Sequence, residues 1–181
     1  LSAMGVAILM ALSSQAAFAA PAEDLRCLDD KLEDSQRAAI GSLFAQQTDD
    51  PTDDRELAKG SKAAARDFAA AIGGCSSRFN WDVTERQAAE QYLIRLGKLS
   101  QIAVSNGDDW SLAMESYARF GTRFLPAEGD VTDHQRAMIG AGAKANGVAV
   151  QNADEGEDSP IVRYLEAHRT LDAARADFQS A

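Results

Sequence analysis

The chain has 181 residues, a net charge of −10 and only two cysteines and four prolines. Such an acidic protein is a poor match for nucleic acid or for an anionic membrane surface, because long-range repulsion opposes both. Another protein with a basic surface is the favoured kind of partner. The spacing of apolar residues is helical almost throughout and predicts an all-α fold.

The N-terminal stretch has the order of a secretory signal peptide. An uncharged apolar run from Gly5 to Leu12 precedes polar residues and an A-x-A triplet that ends at Ala19. The run is too short to span a bilayer, which needs about 20 apolar residues. We therefore expect residues 1–19 to be removed. Residues 20–181 are then a single helical domain, periplasmic or secreted, with no membrane span.

The first predicted hairpin is bounded by the two cysteines. One helical run leads from Cys27 to about Gln47, and a second leads back to Ile72, with Pro51 at the centre of the turn. At a rise of about 1.5 Å per residue each arm travels about 30 Å, so the return arm brings Cys75 back beside Cys27. In an exported chain two such cysteines most simply form one disulfide, which closes the hairpin.

Two further expectations concern this hairpin. The glycines Gly73 and Gly74 are expected to end its second helix, and residues 76–82 are expected to form a loop. The acidic pair Asp29 and Asp30 is expected on an exposed helical face, where both carboxyl groups ionise normally.

The second predicted hairpin begins at a capping box. Thr84 is the expected N-cap and Gln87 its partner three residues later, and the helix should extend over 84–104. The returning helix starts near Asp109. Its apolar stripe is expected to face the core: Trp110, Ala113, Tyr117, Phe120 and Phe124.

The third predicted hairpin has first-arm residues 132–146, with Thr132 and Gln135 as a second capping box. Ser159 is the expected N-cap of the last helix and Pro160 its first residue. One face of that helix carries an apolar stripe interrupted by a histidine: Ile161, Leu165, His168, Leu171, Ala174 and Phe178. The prediction is an array or bundle of about three antiparallel helical hairpins.

Each hairpin tip is acidic. The carboxylates of such tips could bind a hard cation or dock a basic partner. The alternative, which we favour, is that they only complement the positive ends of the helices they precede. We predict no cofactor and no metal site. The tip residues are Asp49, Asp50, Asp53, Asp54, Asp108, Asp109, Asp154, Glu155, Glu157 and Asp158.

The motifs of common catalytic sites are weak or missing in the sequence, which favours a non-enzymatic, exported interaction or scaffold domain. Two alternatives remain open. One is an enzyme whose site forms between hairpins around His168, with Arg163, Glu166 or Tyr164. The other is a carrier of a small apolar ligand, with a cavity lined by aromatic residues of the second hairpin: Trp110, Tyr117, Phe120 and Phe124.

Overall fold

The computed structural model describes residues 21–46, 57–149 and 159–181. These residues form α-helices and short 3₁₀ segments and contain no strand, which confirms the all-α class. No helix in these three ranges is both long enough and apolar enough to cross a membrane. The α-helices are α1 Arg26–Lys31, α2 Asp34–Gln46, α3 Leu57–Phe79, α4 Val83–Asn106, α5 Asp108–Gly121, α6 Asp133–Ala145 and α7 Pro160–Ser180.

The predicted disulfide is confirmed. Cys27 and Cys75 are bonded, with their Cα atoms 5.9 Å apart. The bond joins α1 to α3, and both residues are buried, at 5% and 0% exposure. It therefore lies inside the core at one end of the first hairpin.

The first arm is interrupted, so the prediction of one continuous helix from Cys27 to Gln47 is wrong. Leu32 has extended backbone angles, with φ −127° and ψ 134°. The Glu33 N–H then donates to Gln36 Oε1 at 2.9 Å, and the Arg37 N–H donates to Glu33 O at 2.9 Å. Gln36 thus satisfies a free backbone donor at the start of α2, as the third helical residue of a capping box does.

The second arm continues through Gly73 and Gly74, so the prediction that these glycines end it is wrong. The helix ends instead at Asn80, whose φ is +55°. The Trp81 N–H donates to Ser76 O at 3.2 Å, which is the longer hydrogen bond of a Schellman ending. The loop expected after the second cysteine is therefore mostly helix.

The cap of α4 lies two residues earlier than predicted. Asp82 is the N-cap, and its Oδ1 accepts from the N–H groups of Thr84 at 2.7 Å and Glu85 at 2.9 Å. The Asp82 N–H donates back to Glu85 Oε2 at 2.7 Å. The prediction of Thr84 and Gln87 is wrong because this earlier pair has the same spacing and a stronger acceptor at each position.

Two other predicted helix starts are confirmed. Thr132 Oγ1 accepts from the Gln135 N–H at 3.3 Å at the start of α6, and the capping box is complete. Ser159 Oγ accepts from the Val162 N–H at 3.4 Å, and Pro160 is the first residue of α7.

The buried face of α5 differs from the predicted stripe. It consists of Trp110, Met114, Tyr117, Ala118 and Gly121. Trp110 and Tyr117 are buried as predicted. Phe120 was expected in the core but is 53% exposed, because the buried face continues through Ala118 and Gly121 instead. The Arg123 guanidinium lies over its ring, 5.2 Å from the centroid.

Helices α4 and α7 hold the fold together. Both contribute to each of two hydrophobic clusters, one around the disulfide and one around α5 and α6. The contacts of α4 with α2 and α7 are more extensive than those with its hairpin partner α5. Where α2 crosses α4, a Cβ atom on Gly41 would lie only 2.2 Å from the Gly97 carbonyl oxygen. The hairpins therefore share α4 as a common neighbour.

Candidate functional site

An open groove of about 610 Å³ follows α4. One stripe of each surrounding helix lines it, with the spacing of a single helical face. The floor is formed by α4 with Tyr92, Leu96, Leu99, Ser100, Ala103 and Val104. One wall is formed by α7 with Tyr164, His168, Leu171 and Arg175, and the other by α5 with Asp108, Ser111, Leu112 and Glu115. Residues Asp29, Asp34 and Arg37 of α1 and α2 lie at one end.

A network of polar side chains closes the end of the groove near α1. The Tyr92 hydroxyl donates to Asp29 Oδ1 at 3.2 Å, and Arg175 donates to the Tyr92 hydroxyl at 3.5 Å. The Arg175 guanidinium also lies 5.7 Å from the centroid of the Tyr92 ring. Arg37 donates to the backbone carbonyl of Asp29 at 2.9 Å and forms an ion pair with Asp34. Most charged groups at this end therefore contact one another, whereas Arg37 Nε is buried without a hydrogen-bond partner among the described residues.

Burial perturbs the acidic groups of this network. It raises the pKa of Asp29 above its ordinary value of 3.8, against the opposing effects of the Tyr92 hydrogen bond and the charges of Arg37 and Arg175. Burial also raises the pKa of the Tyr92 hydroxyl, and the neighbouring Asp29 charge adds to that effect. The expectation that Asp29 ionises normally on an exposed face is therefore wrong.

A smaller cavity of about 290 Å³ lies on the far side of this network. It shares Asp29, Tyr92 and Arg175 with the groove. Its remaining lining residues come from the N-terminal end of the described chain: Glu23, Leu25 and Arg26. The three shared side chains thus form a partition between the two cavities.

The opposite end of the groove is different in character. Leu112 is 69% exposed and Val104 is 53% exposed, although both are large apolar residues. Beside them lie Asp108 and Glu115, and neither has an ion-pair partner among the side chains described. The Ser111 hydroxyl is occupied, because it donates to backbone carbonyls of the α4–α5 turn. This end therefore presents uncovered apolar surface beside free carboxylates.

Part of the predicted histidine site is brought together. His168 and Tyr164 line the groove, whereas Arg163 and Glu166 are exposed and do not line it. His168 Nδ1 lies 3.2 Å from Asp172 Oδ2, but the geometry is not that of a hydrogen bond. Burial, with a contribution from the Glu115 charge, raises the pKa of Tyr164 to about 12, so its hydroxyl stays protonated at neutral pH.

Of the acidic tips, only the second lies in the described part of the chain. Asp108 and Asp109 are exposed in the first turn of α5, where a carboxylate complements the helix macrodipole. Asp108 also lines the groove. In the described ranges no three His, Cys, Asp or Glu side chains are grouped so as to hold a metal ion. The other tip residues lie outside the described residues: Asp49, Asp50, Asp53, Asp54, Asp154, Glu155, Glu157 and Asp158.

The aromatic residues suggested for an apolar-ligand cavity line neither of the two cavities described above. Trp110 packs edge-on against Tyr164, with the ring centroids 5.5 Å apart. The Tyr117 hydroxyl donates to the Ile139 carbonyl at 3.0 Å inside the core. Phe124 packs against the hydrophobic cluster around α5 and α6, and Phe120 is exposed.

The polar network at the closed end was missed at the level of sequence. Tyr92 is 63 residues from Asp29 and 83 residues from Arg175, so no local pattern connects them. One signal was present. Asp29 shares a helical face with Leu25 and Leu32, and a carboxylate inside an apolar stripe indicates a buried, hydrogen-bonded charge.

No family model matches the chain, and neither the curated proteins nor the solved structures contain a match. The candidate site therefore rests on geometry alone.

Proposed function

We propose that this chain is an exported, non-enzymatic helical domain that binds another protein through the groove along α4. The observation that carries the proposal is the open end of the groove. Leu112 is 69% exposed and Val104 53% exposed beside the free carboxylates of Asp108 and Glu115. Exposed apolar side chains with a polar rim are typical of protein interaction sites.

Charge supports the choice of partner. The groove is lined by four carboxylates and two guanidinium groups, and the guanidinium groups are engaged with acidic and aromatic neighbours at the closed end. The whole chain carries a net charge of −10. The carboxylates of the groove and the net negative charge of the whole chain therefore both favour, electrostatically, a partner with a basic surface.

Binding is favoured over catalysis because the charged groups of the closed end are engaged mainly with one another; the exception is Arg37 Nε, which is buried without a hydrogen-bond partner among the described residues. Asp29, Tyr92, Arg175 and Arg37 form one connected network. Such a network stabilises a rigid wall. Export is supported by the disulfide, since such bonds persist mainly in oxidising compartments.

The proposal is tested with a photo-crosslinking amino acid placed at Leu112 in the native host. The matched control position is Val83, which is 74% exposed but does not line the groove. We expect a specific protein adduct from position 112 only, and we expect its yield to fall at high salt. Equal adducts from both positions would show that the groove is not the binding surface, and a yield that ignores salt would show that the partner is not recognised through a basic surface.

Export is tested separately by cell fractionation and by the mass of the native protein. We expect a periplasmic or secreted protein that begins at Ala20 and has no free thiol. A cytoplasmic protein that retains residues 1–19 would contradict this part of the proposal.

A further inference from the structure

All walls of the groove are helical faces, and this restricts the backbone conformation of a bound segment. Extended peptides are commonly held by main-chain hydrogen bonds to the edge of a sheet. The described residues contain no strand, and the walls are helices whose backbone groups bond within each helix. An extended segment would therefore find no main-chain partners on the groove walls and would depend on water for its backbone hydrogen bonds. A helical segment satisfies them internally.

The α5 wall has the chemical pattern that a basic amphipathic helix requires. One face of α5 presents a carboxylate, a leucine and a second carboxylate in order, because positions i, i+4 and i+7 are Asp108, Leu112 and Glu115. Val104 adds a second exposed apolar side chain from α4. A helix that carries an apolar stripe flanked by lysine or arginine matches both features at once.

The length of the floor sets the length of the segment. The lining residues of α4 extend from Tyr92 to Val104. These 13 residues are separated by 12 helical steps and span about 18 Å at the helical rise of about 1.5 Å per residue. A parallel or antiparallel helix of about three turns covers this floor, with its apolar anchors at i, i+3, i+4 and i+7.

We infer that the groove binds a basic amphipathic helix of about three turns from its partner. The apolar stripe of that helix packs on Val104 and Leu112, and its cationic side chains pair with Asp108 and Glu115. This inference rests on the proposed function and names the recognition element that the groove accepts.

The test uses the full, disulfide-bonded chain and two synthetic peptides of equal leucine and lysine content. In the first peptide, of about 14 residues, leucines recur at helical spacing. In the second, leucine and lysine alternate, which favours a strand. Binding is measured by fluorescence anisotropy of labelled peptide, and peptide conformation by circular dichroism. We expect the first peptide to bind at least about tenfold more tightly and to become helical on binding.

Two pairs of variants locate the binding. Leu112→Gln removes an exposed apolar contact in the groove, and Val83→Gln removes one outside it. Glu115→Gln removes a groove carboxylate, and Glu128→Gln removes an exposed one elsewhere. We expect Leu112→Gln to weaken peptide binding by about tenfold. Glu115→Gln should weaken it by a few-fold, and this effect of Glu115→Gln should disappear at high salt. The two control variants should change binding by less than about twofold.

Equal binding of both peptides, or equal effects of groove and control variants, would overturn the inference. Sedimentation of the wild type and of Leu112→Gln tests whether a second copy of the chain occupies the groove instead: dimerisation that Leu112→Gln abolishes would also overturn the inference. Failure of this inference can be distinguished from failure of the proposed function. If crosslinking at position 112 captures a partner but the helical peptide shows no preference, the groove is a binding site and only the helical element is wrong.

Discussion

The crossing of α2 over α4 gives the sharpest test of the fold. In Gly41→Ala the added Cβ would lie 2.2 Å from the carbonyl oxygen of Gly97 and 2.4 Å from its carbonyl carbon, whereas ordinary contacts are 3.4–4 Å. These are backbone atoms of another helix, so no side chain can rotate away. The two helices must separate by about 1 Å to restore an ordinary contact.

The magnitude follows from two opposing effects. Alanine is preferred over glycine inside a helix by about 1 kcal/mol, which favours the variant. Overpacking costs about 1–3 kcal/mol, and separation also loosens the packing of the neighbouring Ile40, which is fully buried. We expect a net loss of about 1–2 kcal/mol in the free energy of unfolding. Gly73→Ala is the matched control, because nothing lies within 4 Å of its added Cβ. It should gain up to about 1 kcal/mol.

The assay is urea denaturation of the oxidised protein, followed by far-UV circular dichroism. The two variants should shift the urea midpoint of unfolding differently. We expect a lower midpoint for Gly41→Ala and an unchanged or higher midpoint for Gly73→Ala, with the same dependence of the free energy of unfolding on urea concentration. If Gly41→Ala is as stable as the wild type, the close crossing of α2 and α4 is wrong.

Three further predictions concern stability. Replacing both cysteines by serine should lower the free energy of unfolding by about 4 kcal/mol, because the disulfide closes a loop with a sequence separation of 48. Urea denaturation measures this loss, and a loss below about 1 kcal/mol would contradict the expectation. Phe178→Ala should lower the free energy of unfolding by about 3–5 kcal/mol, because Phe178 is fully buried. Phe120→Ala should lower it by less than about 0.5 kcal/mol in the same assay, because Phe120 is exposed, and equal losses would contradict this difference in burial. Burial raises the pKa of Asp29 above its unfolded value of 3.8, so the folded state binds this proton more readily. Acidification from the raised pKa towards 3.8 should therefore stabilise the wild type relative to Asp29→Asn, and parallel pH profiles of unfolding would refute this.

Features with a local chemical cause were predictable from the sequence. The pairing of Cys27 with Cys75 follows from the presence of only two cysteines, which lie at equal distances in sequence from Pro51. The caps at Thr132 and Ser159 follow from side chains that accept hydrogen bonds from the next helical turn. The same local logic fails when two candidate caps compete, as at Asp82 and Thr84.

The groove could not be predicted in this way, because its chemistry is assembled from separate helices. Leu96 and Leu99 have the spacing of core residues, and only the placement of α5 and α7 leaves them facing a cavity. Leu32 also continues an apolar stripe through the point where the helix breaks. Periodicity reports which face of a helix is apolar, but it does not report what covers that face.

The position of the disulfide has a consequence for its chemistry. Cys27 and Cys75 are 5% and 0% exposed, and thiol–disulfide exchange requires a thiolate to approach one sulfur directly. A reductant such as glutathione therefore attacks mainly molecules that have opened this end of the core. The rate at which the native protein is reduced then measures how often the Cys27–Cys75 region opens.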